Sequence, residues 1–261
     1  MQPTISAFYQ CYKQPKAFLH ALTAFRQHYP DSTIVLISDG GGYDYTQAAA
    51  YFHCRYSQLP LRTGELANST IFSRREDFLD WLERFVVAAK QMTEDYIMLL
   101  EDDVTVCKPI HSPLLFDING ANTKEFLGKK MERYLQSRGV KANARNGRIF
   151  YGGCGGALFR RTFIIEHFAD RQKVSDMLTA CEPYREGRHL TFYSTDYWIS
   201  VLTYCVGGTI GNYQGFSEQW QWNVWIRRHI LNNIEVLHQD KRLYNKPLDT
   251  DEQKIIGVSL V

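Results

Sequence analysis

The chain has 261 residues, of which 44% are hydrophobic and 22% charged, enough apolar surface for an ordered core. That composition excludes an intrinsically disordered chain and a very small fold, and fits one large α/β domain. With 30 basic and 28 acidic side chains the net charge is +2, so no global positive field draws in a nucleic-acid backbone and recognition has to be local.

In chain order, Ile5 to Tyr9 predicts a short strand, and Phe18, Leu19, Leu22 and Phe25 predict a helix from Pro15 to Tyr29 that stops at Pro30 and Asp31. Thr33 to Ser38 is nearly all apolar, the pattern of a strand covered on both faces, and Asp39-Gly40-Gly41-Gly42 ends it in a turn. Helices follow at Tyr45 to Phe52 and at Arg75 to Gln91, the second with a stripe of Phe78, Trp81, Leu82, Phe85, Val86 and Ala89. Tyr96 to Leu100 reads as a buried strand whose carboxyl end carries Glu101, Asp102 and Asp103. This alternation over the first 106 residues predicts a largely parallel sheet.

From Asp117 to Arg148 the chain turns polar and basic, the pattern of a helix with a mobile loop or of an insertion near a binding face. Strand signals resume at Ile149 to Tyr151 and at Ala157 to Arg161, on either side of Gly152, Gly153, Gly155 and Gly156. Ser194-Thr195-Asp196 opens an apolar helix that runs to Cys205, with a hydroxyl N-cap expected. The tail carries Trp220, Trp222, Trp225 and His238.

Ligands of open α/β sheets bind outside the carboxyl ends of the strands, so the position of the acidic triplet matters more than its composition. In an extended segment Glu101 and Asp103 point to one side and Asp102 away. That geometry suits a hard divalent cation, which takes oxygen ligands from carboxylates and phosphates; a solvated acidic turn is the plainer alternative. The glycine run suits close approach of backbone to a ligand, or a bulge; it is not GxGxxG. Asp196 lies in the first turn of its helix, where the dipole favours the ionised form and a proton acceptor, although capping alone explains an acid there. His238 offers a neutral imidazole to a metal shell, and Trp220 and Trp222 share one side of an extended segment, fit for sugar stacking or core packing.

The six cysteines are too widely spaced for any CxxC motif and read as reduced thiols. The opening MQPTISAFYQ lacks a cationic leader and an apolar signal core, and no apolar run approaches the ~20 residues that cross a bilayer. A cytoplasmic protein without a transmembrane segment is expected, with peripheral contact at a membrane left open.

Taken in order, these residues resemble a nucleotide-sugar-dependent glycosyltransferase of the GT-A fold, from Thr4 to about His238. Glu101-Asp102-Asp103 resembles the DxD motif, Thr195-Asp196 the xED motif, and His238 the carboxyl-terminal metal-ligating histidine. The resemblance implies a single Rossmann-like domain over 1–261 with a mixed, mainly parallel sheet flanked by helices, residues 1–106 forming a nucleotide-binding half and 107–261 an acceptor-binding half. It further implies Mn²⁺ or Mg²⁺ held by Asp103, Glu101 and His238, a nucleotide contacted by Tyr12, Asp39, Arg74 and Asp102, and donor and acceptor sugars near Gly155, Gly156, Trp220 and Trp222. Asp196 would be the base of an inverting transfer from a UDP-sugar to a glycan or other acceptor hydroxyl. Two departures stand out: Glu101 begins the triplet where Asp is usual, and Thr195 stands where an acid is usual. A retaining enzyme of the same fold and a silent carbohydrate-binding protein are the competing readings; a nucleotidyltransferase is disfavoured because Tyr9 to Lys13 is not a basic, glycine-rich loop.

Overall fold

The computed structural model describes residues 2–40, 44–65, 70–144, 146–218 and 233–257. The first part alternates as β1 (Ile5–Cys11), α1 (Pro15–His28), β2 (Ile34–Ser38), α2 (Thr46–Tyr51), β3 (Arg55–Gln58), β4 (Ile71–Phe72), α3 (Arg75–Gln91) and β5 (Tyr96–Leu100). It continues through β6 (Thr105–Val106), β7 (Ile118–Asn119), β8 (Ala121–Phe126), α4 (Lys129–Ser137), β9 (Phe150–Gly152) and β10 (Leu158–Arg160). Then come α5 (Arg161–Phe168), α6 (Arg171–Cys181), β11 (Tyr193–Ser194), α7 (Thr195–Cys205), β12 (Ile210–Gly211), β13 (Phe216–Glu218), β14 (Val236–His238) and a last helix, Thr250–Ile256.

Seven strands form the central sheet in the order β12-β7-β10-β5-β1-β2-β3. All neighbours are parallel except β10, which runs antiparallel to both β5 and β7. Strands from both sides of residue 106 therefore share one sheet.

The apolar run in β2 has a direct cause. Successive strand side chains point to opposite faces, and both faces are covered: Val35 and Ile37 enter one core cluster, Ile34 and Leu36 the other. The same split holds in β5, with Ile97 and Leu99 on the first side and Met98 and Leu100 on the second. On the first side Phe8 packs edge-on against Trp81 of α3 at 5.8 Å between centroids. On the second, Tyr9 packs on Phe18 of α1 at 5.5 Å. Pro15 starts α1, where a missing N–H costs nothing, and Glu76 and Asp77 complement the dipole of α3.

The stretch from 117 to 148, expected as a helix with a loop or an insertion, contains an inner sheet strand, β7, then β8 and α4. Its polar residues hid β7 because only Ile118 and Asn119 lie in the sheet, and the Asn119 side chain is held by Phe116 through its N–H and its carbonyl, at 3.1 and 2.8 Å. Arg161, expected to end a strand, instead begins α5, and the rest of α5 and all of α6 cover residues in which the sequence shows no element. Trp220, Trp222 and Trp225 lie outside the described residues.

Candidate functional site

Strand β5 ends in a turn closed by the Val104 N–H donating to the Glu101 carbonyl at 3.0 Å. The segment 101–103 is thus not extended, and the turn rather than strand alternation brings Glu101 and Asp103 together. Antiparallel pairing of β14 with β6, and an Asp240 N–H bond to the Asp103 carbonyl at 2.9 Å, bring His238 over the same turn. One ligand atom from each of Glu101, Asp103 and His238 lies within 4.8 Å of the others, and all three residues are buried. The His238 Nε2 is 3.6 Å from Asp103 Oδ1 and 3.7 Å from Glu101 Oε2.

Gly155 makes this approach possible. A Cβ there would stand 2.8 Å from Val104, 2.9 Å from the Glu101 carboxyl carbon and 2.9 Å from the His238 ring. The antiparallel return into β10 sets its position, through a Gly156 N–H bond to the Leu99 carbonyl at 2.7 Å. Gly156 itself takes φ of +80°, in the left-handed region that favours glycine. Gly155 thus packs directly against the cluster, whereas Gly156 packs against Val236 and Phe216.

Burial pushes the Glu101 carboxyl above its usual range, against the relief that His238 offers. Burial opposes protonation of His238, but Cys154, Asp103 and Glu101 outweigh it and raise the imidazole well above its ordinary value. Asp103 Oδ1 has no hydrogen bond among the described residues, and Lys241 Nζ stands 3.8 Å from Oδ2. Two buried carboxylates pressed together beside an imidazole are costly without a cation. The donor set, two carboxylates and an imidazole, fits a divalent metal such as Mn²⁺ or Mg²⁺.

The cluster opens into a cavity of about 190 Å³ whose far wall carries Thr195 and Asp196. Pairing of β11 with β4, and a Thr195 N–H bond to the Thr70 carbonyl at 3.0 Å, fix the start of α7 there. Ser194 occupies the N-cap position, as expected, but its hydroxyl accepts no helix N–H. Asp196 Oδ1 accepts from the Tyr197 N–H at 2.7 Å. Burial raises the Asp196 carboxyl above its usual range, while Ser194, the Tyr197 N–H and Arg188 pull it back.

Glu125, Arg188 and His189, which the sequence did not single out, line this cavity, and Tyr151 is bonded to the first two. The Arg188 guanidinium donates to Glu125 at 2.9 Å and to the Tyr151 hydroxyl at 2.6 Å, and Tyr151 donates to Glu125. His189 stacks on Tyr197 at 3.7 Å, and burial, helped by Arg188, lowers its imidazole to about 4, leaving it neutral. No local motif marks these residues, because β8, β9 and the 3₁₀ turn Gly187–Leu190 bring them together across the chain.

The remaining expected residues lie elsewhere. Both oxygens of Asp39, at the end of β2, are engaged by its own surroundings: Oδ1 accepts from the Thr63 N–H and hydroxyl at 2.9 and 2.8 Å, and Oδ2 from the Gly64 N–H at 2.8 Å. Tyr12 lies beneath the Arg62 guanidinium, 3.8 Å from its ring centroid. Asp102 turns into the core, accepts from the Tyr9 hydroxyl, and is pushed well above its usual range by burial. Arg74 precedes α3 and grips Asp77 through two bonds of 2.8 and 2.6 Å, and Arg75 ties α3 to Ser175 and Thr179 of α6.

A larger cavity, about 730 Å³, lies beside the carboxyl end of α7, lined by Arg138, Tyr204 and Cys205 among others. It holds no carboxylate, so converging chemistry, not volume, identifies the smaller cavity as the candidate site.

No family model matches the sequence, and no curated protein matches it. Solved structures do match. The galactosyltransferase LgtC, in complex with donor and acceptor sugar analogs, aligns with 97% of this chain and 95% of its own, at 12% identity and a TM-score of 0.50. Mouse xyloside xylosyltransferase 1, in its apo form, aligns with 94% of this chain and 99% of its own, at 11% identity and a TM-score of 0.48. With its mostly parallel seven-stranded sheet flanked by helices, the chain has the fold of the GT-A-type glycosyltransferases.

Proposed function

We propose that the protein is a metal-dependent glycosyltransferase that moves a hexose from a nucleoside diphosphate sugar, a UDP-sugar, to a hydroxyl of a glycan or other acceptor. The observation that carries this reading is the placing of Glu101, Asp103 and His238 in one cavity with Asp196. The cavity is below the ~300 Å³ usual for a whole ligand, so it admits the reacting ends of two substrates and leaves the nucleotide outside it.

Glu101, Asp103 and His238 would hold the cation, Mn²⁺ or Mg²⁺, which when bound neutralises charge on the departing diphosphate as a Lewis acid. Lys241 and Arg188 are the cavity's own cations and assist there. Asp196 takes the proton of the incoming hydroxyl as that oxygen attacks the anomeric carbon and the bond to the diphosphate breaks, with inversion. Burial raises its pKa and so makes it a stronger base than an exposed aspartate, while Ser194, the Tyr197 N–H and Arg188 oppose that rise. Tyr12, Arg74 and the loop that Asp39 anchors would border the nucleotide, with Asp102 holding the metal-bearing turn through Tyr9. Gly155 and Gly156, with Trp220 and Trp222, would border the sugars.

No described helix is long and apolar enough to cross a membrane. The six cysteines, all thiols, suit the reducing cytosol.

The test is a panel of UDP, GDP, CMP and dTDP sugars with Mn²⁺, read by thermal shift and by product formation. UDP and Mn²⁺ together are expected to raise Tm more than either alone, with EDTA reversing the gain. Binding of free sugar that ignores both EDTA and nucleotide would replace this reading with that of a lectin.

A further inference from the structure

At the opposite end of α7 from Asp196, two cysteines meet. Cys205 ends α7 and Cys181 ends α6, and their sulfurs lie 3.5 Å apart. The other four thiols donate instead to backbone carbonyls, those of Ile37, Phe52, Thr105 and Gly120, at 3.6 to 3.9 Å. Accessibility is divided within the pair: Cys181 is fully buried, whereas Cys205 is half-buried and lines the 730 Å³ cavity together with Arg138.

We propose that Cys181 and Cys205 are an oxidisable thiol pair that closes to a disulfide when a peroxide enters the cavity beside α7. The division of labour follows from the contacts. The contact between the two sulfurs, with the Arg138 charge, holds the Cys205 thiol below its ordinary value against the effect of burial. The same contact, with burial, raises Cys181. Cys205, the sulfur of the pair that reaches the cavity, is therefore the attacking one, and a thiol beside a cation in a solvent-reached cavity is the environment of a reactive cysteine.

Cys205 attacks one peroxide oxygen, an S–O bond forms as the O–O bond breaks, and the displaced hydroxide leaves as water after taking up a proton. Sulfur is oxidised to sulfenic acid and the peroxide is reduced. Cys181 then attacks the Cys205 sulfur, the S–S bond forms as the S–O bond breaks, and the Cys181 proton leaves with the hydroxyl as a second water. The sulfurs have to close by about 1.5 Å to reach disulfide length. The 24-residue separation of the pair in sequence makes the product an intramolecular loop.

The test is a brief hydrogen peroxide pulse on the native full-length chain, followed by denaturation, alkylation and peptide mapping. The expected result is a fall from six free thiols to four, with one linked peptide joining Cys181 to Cys205 and no change in monomer mobility. In Cys181→Ser the intermediate is expected to stall, so dimedone labels Cys205 roughly tenfold faster than any other cysteine. In Cys205→Ser no disulfide forms and Cys181 stays unlabelled. Six surviving thiols, a disulfide between other cysteines, or a Cys181→Ser protein without dimedone on Cys205 overturns the proposal. Should a variant fail to fold, the wild-type peptide map decides alone.

Discussion

The carboxyl ends of β2 and β5 both carry buried acids, and the two ends use them in opposite ways. After β2, the oxygens of Asp39 are filled by three donors from Thr63 and Gly64, so this carboxylate holds a loop. After β5, Glu101 and Asp103 crowd each other and His238, with Asp103 Oδ1 lacking any hydrogen bond among the described residues. Topology alone does not separate the two cases, because both acids sit where ligands of such sheets bind. The supply of nearby donors does. Asp102 repeats the inward case within the same turn, since Tyr9 takes one of its oxygens.

The contrast is sharpest in variants. Asp103→Ala is expected to abolish metal-dependent transfer, by more than about a thousandfold in kcat/KM, while the chain stays folded because the removed group had no hydrogen bond at Oδ1 to lose. Asp196→Asn should lower kcat by about 10² to 10⁴ and leave the joint stabilisation by UDP and Mn²⁺ intact, as measured by thermal shift. Gly155→Ala introduces a Cβ 2.9 Å from both the Glu101 carboxyl carbon and the His238 ring, and should weaken Mn²⁺ binding at least tenfold by calorimetry, about 1.4 kcal/mol.

The pH profile tests the wall opposite the cluster. With Asp196 in its proposed role as base, which works only when deprotonated, activity is expected to fall as pH drops through its pKa, which burial raises and Arg188 lowers. Arg188→Gln removes the lowering charge and should move the acid limb of kcat/KM to higher pH. The mildest functional effect belongs to the other strand end. Asp39→Asn should cost about 1 to 3 kcal/mol of stability by denaturant titration, since one oxygen becomes a donor facing donors, and leave Mn²⁺ affinity unchanged.

In the first hundred residues β1, β2 and β5 were readable because they are covered on both faces, and α1 and α3 because they carry full helical stripes, whereas the polar, largely exposed edge strand β3 and the two-residue β4 were not. Elements of the second part were obscured for a physical reason: β6, β7, β11 and β12 are two residues long, too short to show a period. At the site, Glu101, Asp103, Asp196 and His238 were legible from their places at element ends. The reason they meet was not, since it lies in a turn and in the β14–β6 pairing. Arg188, Glu125 and Tyr151 left no signal, because a network assembled from three separated segments has no spacing to read.

The most direct measurement is a Mn²⁺ titration followed by electron paramagnetic resonance, with and without UDP, on the native chain and on Asp103→Ala. The expected result is saturable binding of a single ion by the native chain, tightened by UDP and lost in the variant. Equal binding by both chains, or none by the native chain with UDP present, would contradict a metal site at the end of β5.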